Sequence, residues 1–210
     1  MASKKKGCLI AAAIFCGCIL VVVCVAVGSL VAYGRKVRNE VTDTTPLEVP
    51  VAQPTETEKR KLGREYKKMA DSFKAGASEE FSFSADDLNG MIASVPDCEA
   101  AKGRVHFKIE DDRIKATMSI PLVELPFLSG RYINGEFDLK VTFENNRLDI
   151  YPHEIKVRGK PIPATLMNAL REKNFGEELN RNPELQKALK QVEYVGIENN
   201  RLVIRSRAGK

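Results

Sequence analysis

The chain of 210 residues carries 33 Lys and Arg against 28 Asp and Glu. Three of those bases, Lys4, Lys5 and Lys6, precede the first apolar run, so the remaining 30 nearly balance the acids and leave no dense positive face for a phosphate backbone; nucleic acid is excluded as an expected partner. Four of the five cysteines, Cys8, Cys16, Cys18 and Cys24, lie inside the apolar run, which leaves Cys98 without a disulfide partner in the rest of the chain.

From Gly7 to Gly34 the chain contains no Lys, Arg, Asp or Glu. At about 1.5 Å per residue a helix of this length exceeds the roughly 20 residues that span a bilayer. A cleaved secretory signal is the competing reading, because Lys4 to Lys6 resemble a positive leader end. The run is too long for that, and no small-residue cleavage site closes it before Arg35 and Lys36. Residues 7–34 are therefore expected to be an uncleaved transmembrane anchor, preceded by a basic tail over 1–6. Bases flank both ends, and the terminal amine tips the amino end inward, which sends the rest of the chain out of the cytoplasm.

Residues 35–55 contain Pro46, Pro50 and Pro54 and no periodic pattern, as an extended stalk would. Thr55 and Glu58 fit a capping box, after which Leu62, Tyr66, Met69 and Phe73 recur at helical spacing; an amphipathic helix over 56–78 is expected to rest on its own domain. Residues 79–210 form the remaining domain. Phe81 and Phe83 alternate as a short strand, and Ser84 with Asp87 opens a brief helix in which Asn89 reads as a satisfied hydrogen-bonding residue.

One turn recurs three times: Glu110-Asp111-Asp112-Arg113, Glu144-Asn145-Asn146-Arg147 and Glu198-Asn199-Asn200-Arg201. Asp and Asn tolerate the positive φ angles of two-residue hairpin loops, so each turn predicts a hairpin with Glu facing Arg across its mouth. That register pairs Ile109 with Ile114, Phe143 with Leu148 and Ile197 with Leu202, keeping every apolar side chain on one face. Alternation from Ile133 to Phe143 predicts a long, curled strand, and a parity change at Pro152-His153 predicts a bulge in its partner. A helix carrying Ile162, Leu166 and Leu170 follows, then a shorter one over 183–191. The fold class is α+β, an antiparallel curled sheet of hairpins packed against helices.

No HExxH, CxxC, glycine-rich phosphate loop or GxSxG occurs, and His106 and His153 are the only histidines. No catalytic, cofactor or metal residue is assigned, and the domain is expected to be noncatalytic. Contact with a ligand or partner is assigned instead to the apolar connection after Pro121, through Leu122, Phe127, Leu128 and Tyr132, to Ile162, Leu166 and Leu170, and to Arg205 and Arg207 on the last strand. On that strand Arg201, Val203, Arg205 and Arg207 share a face, as a guarded sheet edge would.

The anchor, the stretch Phe83-Ser84-Ala85-Asp86-Asp87-Leu88-Asn89, the long alternating strands and Val157-Arg158-Gly159-Lys160-Pro161-Ile162-Pro163 together resemble the YpmS-like single-pass membrane proteins of bacteria and, more distantly, lipid-binding domains of the tubular TULIP type. The resemblance implies an envelope protein with a lipid-handling role and brings no catalytic residues. The expected partners are thus the bilayer itself and a lipid or other amphiphile as ligand, the alternative being a scaffold or interaction subunit bound to an envelope protein.

Overall fold

The computed structural model describes residues 42–122 and 128–208; the anchor run, the basic tail and Phe127 lie outside them. Among the described residues no helix is long and apolar enough to cross a membrane.

Helix α1, Glu56–Ala75, starts where the sequence places it. The Thr55 hydroxyl accepts from the Glu58 amide at 3.3 Å, and Glu58 accepts from the Thr55 amide at 2.7 Å. Its stripe of Leu62, Tyr66, Met69 and Phe73 is buried in the domain's own core, as expected. The helix stops three residues early because Gly76 takes a left-handed φ of 62° that ends the helical ladder. Strand β1, Glu80–Phe83, buries both phenylalanines, and Ser84 caps helix α2, Ala85–Ser94, with the expected reciprocal Asp87 bond. A short 3₁₀ helix, Pro96–Ala101, follows unpredicted and seals Cys98 completely.

The three hairpins form in the expected register. Strands β2 (Val105–Glu110) and β3 (Arg113–Pro121), β4 (Tyr132–Glu144) and β5 (Arg147–Val157), and β7 (Val192–Glu198) and β8 (Arg201–Ser206) are joined by two-residue turns. All six central residues have φ between 51 and 58°. Ile109 opposes Ile114, Phe143 opposes Leu148 and Ile197 opposes Leu202. The bulge lies where the parity changes: Asp138 pairs with Glu154 and Leu139 with Pro152, leaving His153 as the extra residue. Pro152, which has no amide to donate, is tolerated at that break.

Two features differ from the sequence reading. The strands make two antiparallel sheets, a five-stranded one in the order β2-β3-β4-β5-β6, where β6 is Lys160–Pro161, and a three-stranded one in the order β1-β8-β7. The last strand is therefore central, because β1 pairs along its free side from Glu80 opposite Arg205 to Phe83 opposite Leu202. Its arginines guard no edge, and Val203 is buried beside Leu202 and Ile204. Second, the Arg of each turn leaves its facing Glu for another partner. Arg113 forms an ion pair with Asp138 at 2.9 Å, Arg147 bonds Glu177 at 2.8 Å and Arg201 reaches Asp87 at 3.0 Å.

The helices close the edges of the large sheet with asparagine side chains. Asn89 of α2 accepts from the Phe107 amide and donates to its carbonyl, both at 2.8 Å, and so completes the outer edge of β2. On the opposite edge, helix α3 (Ala164–Arg171) leads to Asn174, which accepts from the Ile150 amide at 2.9 Å. A helix missing from the sequence reading, α4 (Glu177–Arg181), carries Asn180, which makes the same two-bond contact to Leu148 at 2.9 and 2.8 Å. Helix α5, Pro183–Leu189, then leads into β7. Side chains from both sheets and from the helices enter one continuous core.

The part of the expected stalk within the described residues is extended but not free. Asp43 and Tyr132 exchange two backbone bonds of 2.8 Å, and Thr42 is fully buried between Arg131 and Arg158. The Leu47 amide donates to Ser119 and Asn134, and Val49 is buried. Residues 42–52 thus form a strap across the end of β4, β3 and β2.

Candidate functional site

Alternation along a strand sends core residues to one face and leaves the other to polar side chains. On the five-stranded sheet that polar face holds a hollow of about 460 Å³, walled by Lys108 and Glu110 of β2, Arg113, Lys115 and Thr117 of β3, Glu136 and Asp138 of β4, and His153, Glu154 and Lys156 of β5. Four bases and four acids line it. The bulge at His153 creates part of this wall, since without the extra residue Glu154 and Lys156 would turn into the core.

The register sets like charges side by side. Lys108 faces Lys115 and Asp138 faces Glu154, while between these two pairs Lys115 faces Asp138, of opposite sign. Like charges directly opposite are unfavourable, and here the neighbouring rows compensate with ion pairs: Lys115 with Glu110 at 2.7 Å, Arg113 with Asp138 at 2.9 Å, and Lys156 with Glu154 at 3.0 Å. The Glu110 bond holds the Lys115 amine above its ordinary range, and Lys115 in turn draws the Glu110 carboxyl down. Glu154 raises Lys156 in the same way. Glu110, Lys115 and Lys156 are thus held in their charged forms, which suits recognition of charge.

The residues assigned from sequence separate in space. Leu122, Leu128, Ile162 and Leu170 are buried in the core and Leu166 packs against it. Ile162 precedes α3 rather than lying on it, because the helix begins at Ala164. Tyr132 is half-buried and opens β4 against the strap; Phe127 lies outside the described residues. Arg205 sits between Glu80 at 2.6 Å and Glu198 at 2.8 Å and stacks 4.7 Å above the Tyr194 ring, so its charge is answered within the chain. Arg207 is exposed beyond the end of β8. The hollow went unrecognised because each of its charges, read alone, looks like an ordinary solvated strand position. Only the cross-strand register, already legible in the three turns, gathers them into one place.

Among the described residues no three His, Cys, Asp or Glu side chains converge as a metal site would require. No protein-family model matches the chain, and neither a curated protein nor a solved structure matches it.

Proposed function

We propose that this chain is a membrane-anchored, noncatalytic interaction protein whose domain, held outside the cytoplasm, binds a charged polypeptide partner in the hollow of the five-stranded sheet. The observation that carries this reading is the mixed-charge lining of that hollow, with Lys108 and Glu136 exposed on it and outside the ion pairs of their neighbours. Desolvating an acyl chain against eight charged groups gains nothing, whereas a polypeptide with ordered charges exchanges solvent for complementary partners. The amphiphile reading, which the resemblance to lipid-binding domains favours, needs Ile162, Leu166 and Leu170 to face a groove; four of the nine residues assigned to contact are instead packed in the core. A photocrosslinking residue at Thr117 in the full chain, in cells, tests the proposal. A polypeptide adduct that is lost on combining Lys108→Glu with Glu136→Lys, at an unchanged unfolding midpoint, is the expected result. An adduct indifferent to both changes, or purified protein that carries lipid in native mass spectrometry and yields no adduct, overturns it.

A further inference from the structure

The strap fixes which end of the domain faces the membrane, and we infer that this end docks on an anionic bilayer surface. The inference rests on the anchor in the proposal above. Seven residues, 35–41, separate Gly34 from Thr42, so the clamped threonine stands at most about 28 Å of chain from the end of the apolar run. Thr42 is fully buried, its carbonyl accepting from Arg131 at 3.1 Å and from Arg158 at 2.8 Å. Strand β4 begins beside it and runs 13 residues away, which at about 3.4 Å each puts the Asn145-Asn146 turn roughly 40 Å off. A tether this short keeps the Thr42 end near the lipid and the turn end away from it.

The chemistry of the two ends agrees with that orientation. Around the strap lie Lys102, Arg104, Arg131, Arg158 and Lys160, with Asp43 and Glu48 on the strap itself and Asp97 and Glu99 in the 3₁₀ helix before Lys102, and Leu47 and Val51 are two of the three large hydrophobic side chains exposed among the described residues. The two far turns of the large sheet carry Glu110, Asp111, Asp112 and Glu144 against Arg113 and Arg147, and so lean acidic. Basic side chains beside exposed apolar ones are the combination that binds anionic headgroups, each base near the surface adding to the attraction. The strap therefore serves as the foot of the domain, holding the charged hollow at a set height above the bilayer.

The chain has no tryptophan, which makes a single introduced indole a clean reporter. Full-length Leu47→Trp and Glu144→Trp are reconstituted separately in vesicles of phosphatidylglycerol and phosphatidylcholine containing a headgroup-labelled quencher lipid, and vesicle flotation is measured on the same samples. We expect both to float, Leu47→Trp to be quenched and blue-shifted, Glu144→Trp to be neither, and Lys102→Glu with Arg104→Glu to reduce the quenching at position 47. Protein that floats with equal quenching at both positions overturns the docking while leaving the anchor intact. Quenching at position 47 unchanged by the two charge reversals overturns the headgroup contact. Protein that fails to float overturns the anchor, and the docking with it.

Discussion

Asp87 shows how one side chain can join three elements. Its carboxylate caps α2 through the Ser84 amide at 2.8 Å, accepts from the Ser84 hydroxyl at 2.8 Å and receives Arg201 of β8 at 3.0 Å, while Arg201 also donates to Ser82 of β1. Burial acts to raise this carboxyl, but the Ser84 bonds and then Arg201 outweigh it and hold the group below the usual aspartate range. A folded-state pKa below the unfolded one means stability that is complete above the ordinary aspartate value and lost as pH falls through the depressed one. Wild-type protein should therefore lose stability steeply below about pH 4, with Asp87→Asn less stable at neutral pH and flatter in that window. Urea titrations across the acid range check this, and parallel slopes for the two proteins would refute it. The capping role was legible from Ser84 and Asp87, three apart before an apolar run. The Arg201 contact was not, since it needs β1 and β8 to be neighbours across more than a hundred residues.

Among the elements, the short helices matter less for their length than for the asparagines they deliver. An exposed sheet edge offers unpaired amides and carbonyls to any other strand, and Asn89, Asn174 and Asn180 occupy those groups on both edges of the large sheet. Helix α4 can approach β5 because Gly176 stands at its start: a Cβ there would run into the Leu148 carbonyl oxygen. Replacing Asn180 by Ala leaves the Leu148 amide and carbonyl buried without partners, a cost on the order of 2–3 kcal/mol. The expected result is a lower denaturant midpoint at an unchanged slope; a shift within error would show that water restores both bonds. The two-residue turns were legible because Asp and Asn at their centres have few other uses in that pattern. Helix α4 escaped because five residues are too few to display a period.

For the molecule as a whole, the strap and the core are separable. The strap depends on a handful of polar bonds around Thr42, Asp43 and Leu47, whereas the core is continuous through both sheets. Combining Arg131→Ala with Arg158→Ala should speed hydrogen exchange at the Asp43 and Leu47 amides while leaving Phe107 and Leu148 protected, because strap opening costs far less than global unfolding. Equal acceleration at all four amides would mean that strap and core unfold together. What the sequence determined by itself was whatever depends on neighbours along the chain: the hairpins and their register, the two capped helices, the bulge and the antiparallel α+β class. In each case local stereochemistry and a period of two or 3.6 leave a single consistent arrangement. The tertiary structure alone decided that β8 is central, that Arg205 is neutralised between two glutamates, that Ile162 and Leu170 belong to the core, and that the charges of four strands meet in one hollow. Those outcomes depend on which distant segments pack together, a choice made by burial of the whole apolar surface at once and invisible to any local window.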